Sequence, residues 1–314
     1  MTEKNNTPED VFLKEQRNLE NQDVLKKPVE GYWKDAFRRL RKNKLAMFGL
    51  VMIIILIITA IFAPMFSKFD YHSQDLSNIN LNPGKMGYIF GTDELGRDLF
   101  TRVWVGTRYS LIIGISAAAI DFLIGVLYGG ISGMSGSKVD TIMMRIAEIV
   151  YSVPYMLVVI LMSVTFSAGQ GASLPLMIIA MTITGWVPTA ILVRGQVLQL
   201  REQEYIMAAK SMGAGRKFIF LKHILPNALG PILVNVTLTI PRAIFAEATL
   251  SFMNLGLQAP LPSLGVLAND GLAVMPVGIF YQILFPAVVI SLIMFSFNVL
   301  GDGLRDALDP KLRK

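Results

Sequence analysis

Long runs of apolar residues without a charged side chain divide this chain into segments that match the length of membrane spans. Leu45–Phe66 and Phe280–Gly301 are each uncharged over 22 residues, and a helix needs about 20 apolar residues to cross the hydrocarbon core of a bilayer. Ile149–Val193 is uncharged over 45 residues, which is too long for one span, and the turn-forming stretch 167–175 divides it into two. This pattern predicts four transmembrane helices.

Two weaker spans contain ionisable residues and bring the predicted total to six. Ser110–Ile131 contains Asp121, and Leu229–Ala248 contains Arg242 and Glu247. A charged group at the bilayer centre costs at least about 2.5 kcal/mol and seldom faces lipid. These three side chains therefore either tie helices together inside the bundle or line a translocation path for a charged substrate. Because Glu247 lies near the end of its span, we expect it to reach water.

The distribution of Lys and Arg predicts how the spans are oriented. The segments on one side hold 23 of these residues and the segments on the other side hold five, and cytoplasmic loops carry the excess of positive charge. We therefore predict an all-α integral membrane bundle with both termini in the cytosol (N-in/C-in). It has a cytosolic tail with an interfacial helix (1–44), a six-span membrane domain (45–301) and a cytosolic C-terminal tail (302–314). The other predicted inner segments are 132–145 and 194–226, and the outer segments are 67–109 and 249–279.

Composition excludes several classes of protein. Of the 314 residues, 53% are hydrophobic and 17% charged, whereas about 25% of an ordinary soluble domain is charged. The chain has no cysteine and only two histidines, which excludes a disulfide framework and a Cys- or His-rich metal site. Its net charge of +6 is explained by topology, without a nucleic-acid partner. Its one Gly-Lys pair, Gly84-Lys85, precedes Met86, so the phosphate-binding loop of ATPases is absent. We expect no catalytic, cofactor-binding or metal-binding residues.

An amphipathic helix is predicted immediately before the first span. Residues 1–31 are polar and of mixed charge, as in a loosely ordered tail. Trp33, Phe37 and Leu40 then recur at helical spacing. This arrangement is typical of a helix that lies on the inner leaflet with its apolar side in the membrane. The basic residues of its other side are Lys34, Arg38, Arg41 and Lys42.

The segment 194–226 is long for a connection between two membrane helices. We predict a helix over Glu202–Met212, ended by Gly213 in the left-handed conformation. The stretch Arg216–Leu225 is basic and aromatic, and Pro226 suits the first turn of the following span. The segment is either a cytosolic loop with two short helices or a docking element for a cytosolic partner.

The spacing within this segment resembles the coupling loop of ABC importer membrane subunits. Ala208-Ala209, three residues, Gly213, and the later Leu225-Pro226 follow that family's pattern. The two small alanines would let another backbone approach closely. The resemblance implies that this loop docks a separate ATPase, and the residues it assigns to docking are Glu204, Tyr205, Ala208, Ala209, Gly213, Leu225 and Pro226.

A second motif lies just before the span that contains Asp121. The stretch Phe90–Asp98 reads FGTDELGRD; its two glycines predict a specific turn, and Asp98 could pair with Arg102 four residues later on a helix. The motif either shapes the outer vestibule or acts directly in transport. It resembles the outer-face signature of peptide-permease membrane subunits, which implies roles for Gly91, Asp93, Gly96, Arg97 and Asp98.

Residues 247–265 and 297–310 resemble the same group, and the resemblance spans roughly residues 33–310. It points to the second (C-type) membrane subunit of an oligopeptide permease, a multi-pass protein of the bacterial plasma membrane that forms half of the translocation path of an ATP-driven importer. The implied partners are a homologous second permease subunit, two ATPase subunits that bind ATP and Mg, an extracellular peptide-binding protein and membrane lipid. No nucleic acid is implied.

Two alternatives remain open at this stage. An ion-gradient-driven secondary transporter would also need an intramembrane acid such as Asp121 and broken helices, but it gives no reason for the Ala-Ala-x3-Gly loop. Within the resemblance, the substrate could instead be nickel, glutathione or another small ligand.

Overall fold

The computed structural model describes residues 32–167, 173–253, 255–257 and 259–308. The predicted tail 1–31 and the end of the segment 302–314 lie outside these residues. The described part of the chain is helical and contains no β-strand. Its helices are α1 (Tyr32–Lys42), α2 (Lys44–Phe66), α3 (Leu99–Met134), α4 (Ser137–Ser152), α5 (Tyr155–Ser167), α6 (Leu174–Arg201), α7 (Glu204–Ser211), α8 (Arg216–Ile219), α9 (Leu225–Phe252), α10 (Leu264–Val274) and α11 (Tyr281–Leu308).

Five of the six predicted spans are long apolar helices. They are α2, α3, α6, α11 and a continuous helix over Arg216–Phe252, in which a π-helical turn (Phe220–Ile224) joins α8 to α9. The span predicted over Ser110–Ile131 is longer in the structure, because α3 already begins at Leu99. The predicted amphipathic stretch before the first span is helical as α1, and its position on a membrane surface stays a prediction.

The third predicted span is broken by a sharp bend. The sequence predicts a span from Ile149 to about Ser167, and the structure has two helices there, α4 and α5, bent by 71° relative to each other. The break lies between Ser152 and Tyr155, at Pro154. Proline has no N–H to donate and disfavours the helical conformation of the residue before it. Counted as one broken span, α4 and α5 bring the candidate spans among the described residues to the predicted six.

The contact between α3 and α6 is made backbone to backbone. A Cβ atom added at Gly125 would lie 2.6 Å from the Cβ of Thr189, and one added at Gly133 would lie 2.8 Å from the Cβ of Val197. Gly129, between them on the same face, lies directly against the α6 backbone. Small residues at such spacing let membrane helices approach closely, and the packing of their surfaces then stabilises the pair.

Hydrogen bonds and an ion pair hold α3, α4 and α6 together near the C-terminal ends of α3 and α6. The guanidinium of Arg194 on α6 donates from Nε and Nη2 to the two carboxylate oxygens of Asp140 on α4, both at 2.6 Å. The Oγ of Ser132 on α3 donates to the same carboxylate at 2.5 Å. Arg201, at the end of α6, donates to the carbonyl oxygen of Gly133 at 2.9 Å. A bidentate arginine–carboxylate pair fixes geometry well, so these ties hold α3, α4 and α6 together.

A proline inside α2 is compensated by a side chain of α3. Pro64 cannot donate to the carbonyl oxygen of Ala60, four residues earlier, because it has no N–H. The guanidinium of Arg108 donates to that oxygen from Nε at 3.2 Å and from Nη2 at 2.9 Å, and to the carbonyl oxygen of Ile61 at 3.1 Å. Proline is tolerated in membrane helices where a neighbour satisfies the freed carbonyl in this way.

This compensation predicts a coupling between positions 64 and 108. Arg108→Met should lower the free energy of unfolding by about 1–3 kcal/mol, the cost of a buried polar group left without a partner. In a Pro64→Ala chain the loss should be smaller, because the new N–H can donate to the Ala60 carbonyl. Denaturation of the four variants of this cycle in detergent micelles measures the difference.

Lys68→Met is the control, since Lys68 is exposed just beyond α2 and has no hydrogen bond to these carbonyls. A loss of the same size for Arg108→Met with and without Pro64 would contradict the compensation.

Candidate functional site

The predicted docking helix is present as α7. It begins at Glu204, two residues later than predicted, because α6 continues to Arg201 and a turn separates the two helices. Gly213 ends it with a φ of +85°, the left-handed conformation that the sequence predicts. The N–H groups of Gly213 and Ala214 donate to the last carbonyl oxygens of the helix at 3.0 and 3.1 Å. The turn after α7 is therefore fixed by a residue without a Cβ.

The predicted docking residues of α7 divide between its two faces. Tyr205 is 45% exposed, Met212 just beyond the helix is 82% exposed, and Ala208 is also exposed. Ile206 and Ala209 are buried against the chain's own helices. The close approach that Ala209 permits is thus made within this chain, whereas Tyr205, Ala208 and Met212 form an open strip at i, i+3 and i+7.

The rest of the predicted docking segment continues directly into a membrane helix. Pro226 is exposed in the first turn of α9, where the sequence predicts it. Leu225 is half-buried, and the Nδ2 of Asn227 lies 3.5 Å from the Tyr205 hydroxyl. Glu204 is exposed at the start of α7. The structure therefore brings the two ends of the predicted docking set side by side.

Asp121 and Arg242 line one cavity, which is open on the side where Arg242 is exposed. This cavity has a volume of about 260 Å³, and its walls come from α3, the junction of α4 and α5, α6 and α9. Asp121 is 4% exposed, and its Oδ1 has no hydrogen-bond partner among the described residues. Hydroxyl and amide groups, among them those of Tyr155, Thr184 and Asn235, form part of the wall, and the rest is apolar. Within the described part of the chain, no three His, Asp or Glu side chains are grouped so as to hold a metal ion.

Glu247 lies apart from this cavity and does not reach water. It is fully buried, and its carboxylate accepts hydrogen bonds from the hydroxyl groups of Ser110 at 3.0 Å and Ser251 at 2.6 Å. Ser110 in turn accepts from the N–H of Leu264, the first residue of α10, at 3.2 Å. The prediction of an exposed Glu247 was wrong, because α10 packs over it. The carboxylate instead links α3 and α9 to the start of α10.

The outer motif folds into the glycine turn that the sequence predicts. Gly91 and Gly96 have φ values of +79° and +69°. The carboxylate of Asp93 accepts from the backbone N–H groups of Leu95 and Arg97, both at 2.9 Å, and from the Arg97 Nε at 2.7 Å. A Cβ atom at Gly96 would collide with the carbonyl oxygen of Asp75. Glycine is therefore required there by both conformation and space.

The predicted pair of Asp98 and Arg102 does not form. Asp98 caps the start of α3, accepting from the N–H of Thr101 at 2.9 Å and from its hydroxyl, because a carboxylate satisfies the free N–H groups of a helix start. Arg102 is buried, with its Nε 3.5 Å from the Asp93 carboxylate and its Nη2 3.5 Å from that of Asp270 on α10. These two contacts of Arg102 join α3, the outer glycine turn and α10.

Two residues of this outer network were missed by the sequence analysis. Asp270 is the one charged residue between Glu247 and Asp302, a signal that could have drawn attention to it. Burial raises the pKa of its carboxyl, and the guanidinium groups of Arg102 and Arg97 act in the opposite direction. Gln282, in the first turn of α11, donates to the Thr92 carbonyl oxygen at 3.0 Å and is buried. Nothing in its sequence context distinguishes it.

Comparison with known proteins places the chain in a family. Residues 123–314 match the family described as the binding-protein-dependent transport system inner membrane component, and residues 31–83 match the N-terminal transmembrane domain of oligopeptide transport permease C. The dipeptide transport system permease protein DppC of Bacillus subtilis (strain 168) is 51% identical over 99% of this chain and 95% of the relative. The oligopeptide transport system permease protein OppC of the same strain is 52% identical, covering 98% and 99%.

A more distant relative and a solved structure agree. The oligopeptide transport system permease protein OppC of Escherichia coli (strain K12) is 43% identical over 91% of this chain and 94% of its own length. A chain of the MetNI methionine ABC transporter, in an inward-facing conformation, has a TM-score of 0.52 at 21% identity and covers 65% of this chain and 94% of that one. The likeness to the MetNI chain shows the fold alone. The chain belongs to the family of binding-protein-dependent transport system inner membrane components, among the permease C subunits of dipeptide and oligopeptide transport systems.

Proposed function

We propose that this chain is one of two homologous membrane subunits of an ATP-driven peptide importer. It forms half of the translocation path and receives the movement of separate ATPase subunits through α7. The observation that carries this proposal is the exposed strip of Tyr205, Ala208 and Met212 on a short helix that is held at the end of a membrane span. The names of the relatives, which are dipeptide and oligopeptide permeases, support peptides as the substrate.

Movement of α7 would be transmitted because its inner face belongs to the core of the bundle. Ile206 is buried in one cluster with Val197 on α6 and with Ile219 and Ile224 on the helix that follows. Apolar side chains packed at native density move together, since separating them exposes surface and opens cavities. A partner that displaces α7 would therefore displace the ends of two membrane helices.

The cavity that contains Asp121 and Arg242 suits a substrate with two opposite charges. A peptide carries an ammonium group at one end and a carboxylate at the other. A carboxylate whose Oδ1 has no partner and a guanidinium on the wall of one cavity would provide a complementary group for each. We assign Asp121 and Arg242 to the path. Glu247 accepts from the hydroxyl groups of Ser110 and Ser251, and Ser110 accepts from the first N–H of α10. We therefore assign Glu247 to holding the outer helix.

The partners follow from the family and from the expected energy source. Membership of an ABC importer family implies a second permease subunit and ATPase subunits. We propose two ATPase subunits, which bind ATP and Mg, and an extracellular peptide-binding protein that delivers substrate to the outer network of Asp93, Arg102 and Asp270. ATP is cytosolic, so α7 and both termini would face the cytosol, in agreement with the distribution of Lys and Arg.

The alternative of an ion-gradient-driven transporter has less support. It would explain an acid in the membrane, but not a family of binding-protein-dependent systems. Relatives named for dipeptides and oligopeptides likewise favour peptides over nickel or glutathione.

The docking proposal predicts that Ala208→Trp abolishes peptide uptake while the chain still inserts in the membrane, because a large side chain on the exposed strip prevents close contact. Ala208→Ser, which stays small, should retain uptake. Gly213→Val should also abolish uptake, since its φ of +85° costs a residue with a Cβ about 1 kcal/mol or more. Gly213→Asn should retain more uptake than Gly213→Val, because Asn tolerates the left-handed conformation better than Val does. Uptake and co-purification with the ATPase are measured together; wild-type values for Ala208→Trp would refute docking at this strip.

The path proposal predicts a substrate-dependent effect at Asp121. Asp121→Asn should reduce uptake of peptides with a free amino terminus about tenfold, the loss of one charge-assisted hydrogen bond, and should leave uptake of N-acetylated peptides nearly unchanged. Competition between the two peptide classes in reconstituted vesicles measures this ratio. Asp302→Asn, at an exposed position on α11, is the control. Equal losses for both peptide classes would indicate a purely structural role for Asp121.

The topology predicts which positions react with a membrane-impermeant thiol reagent. The chain has no cysteine, so single cysteines can be introduced at the exposed positions Gln74 and Gly215. In intact cells Gln74→Cys should be labelled and Gly215→Cys should react only after permeabilisation. The reverse pattern would overturn the orientation and, with it, the docking of α7 to a cytosolic ATPase.

A further inference from the structure

A basic cavity beside α7 has no part in the functions proposed so far. It has a volume of about 440 Å³, and its walls come from the ends of α3 and α6, one side of α7 and the start of α8. Arg201, Lys210 and Arg216 contribute cationic side chains, and Glu202 contributes the one acidic group. The cavity is therefore positively charged and lies where two membrane helices end.

The charges in this cavity are only partly neutralised by the chain itself. Arg201 donates to the Gly133 carbonyl oxygen at 2.9 Å and to the Glu202 carboxylate at 3.0 Å. Lys210 and Arg216 have no ion pair with any of the residues that the structure describes. Two cations thus face the cavity without an anion, which favours an anionic ligand.

An apolar groove continues from the cavity along the outside of the bundle. The groove has a volume of about 360 Å³ and shares Met134, Ser135 and Arg216 with the cavity. A Cβ atom at Gly130 would collide with the ring of Phe220, so the missing side chain lets this ring lie against α3. The other lining residues are Leu127, Ile131, Lys217 and Leu221.

The groove is lined by side chains that a membrane span exposes, where lipid would contact them. Leu127 and Ile131, on a membrane span, are 61% and 57% exposed. On the helix opposite, Lys217 and Lys222 flank the exposed apolar side chains of Phe218 and Leu221. Basic residues interleaved with exposed apolar ones are typical of a helix at the level of lipid headgroups.

We propose that the cavity and groove together bind one anionic phospholipid. Its phosphate lies between Lys210 and Arg216, with Arg201 behind them, and one acyl chain follows the groove between Leu127 and Phe220. Basic pockets at the ends of membrane helices bind anionic headgroups in this way. A zwitterionic lipid would fill the groove but gain no net attraction from the cations. A free phosphate would use the cations and leave the groove empty.

The lipid site and the docking strip can be occupied at the same time. Tyr205, Ala208 and Met212 do not line the cavity, whereas Met207 and Lys210 on the other side of α7 do. A bound lipid would connect α3, α7 and α8 from the membrane side. The proposal requires only that α3 and α9 cross the membrane, and it stands independently of the substrate and of the ATPase.

Lipid retention by the purified full-length chain tests the site. The protein in mild detergent is mixed with equal amounts of phosphatidylglycerol and phosphatidylcholine, and retained lipid is counted by native mass spectrometry. We expect wild type to retain phosphatidylglycerol preferentially, and Lys210→Gln combined with Arg216→Gln to retain at least about tenfold less, given what each basic side chain contributes near an anionic surface. Lys68→Gln with Lys138→Gln, exposed residues that line neither the cavity nor the groove, is the charge-matched control.

A variant of the groove separates a lipid from a phosphate. Leu221→Asn should lower retention of phosphatidylglycerol, and glycerol 3-phosphate at millimolar concentration should fail to displace the lipid from wild type. Equal retention by the two double variants would overturn the proposal. Wild-type retention by Leu221→Asn, together with displacement by glycerol 3-phosphate, would also overturn it and assign a phosphate site instead.

Discussion

Backbone contact between α3 and α6 is the constraint on which the rest of this structure depends. Glycines 125, 129 and 133 let the two helices lie closer than side chains would permit. The same approach places Asp121 against α6, where a Cβ atom at Gly185 would lie 2.5 Å from its carboxylate. Since α6 leads directly into α7, the position of the intramembrane carboxylate and that of the exposed strip are set by one helix pair.

The outer end of the bundle is organised by charge instead of by small residues. Arg102 joins the glycine turn of Asp93 to Asp270 on α10, and Glu247 holds the start of the same helix through Ser110. Buried charges are costly to leave unpaired, so α10 is fastened at two points. It is a short helix held between spans, and its position relative to the outer turn is specified by both contacts.

Local features of this fold could be predicted from sequence, and long-range ones could not. The turns at Gly91, Gly96 and Gly213 were predicted because a left-handed residue depends on its own neighbours. The uncharged run that begins at Ile149 continues through Pro154, so hydropathy predicted a span there but not its bend. Burial of Glu247 depends on α10, which comes from a later segment. Asp98 and Arg102 have the spacing of an ion pair on a helix. Asp98 instead caps α3, and Arg102 lies near the carboxylates of Asp93 and Asp270.

The dependence of α2 on Arg108 extends to the order in which the membrane segments are made. Because α2 precedes α3 along the chain, the carbonyl oxygen that Pro64 leaves free at Ala60 has no donor when α2 first leaves the ribosome. Such a group in hydrocarbon costs several kcal/mol. We therefore expect α2 to remain beside the insertion machinery, or in the water-accessible part of it, until Arg108 arrives some forty-eight residues later. The first two spans would then enter the bilayer as one unit.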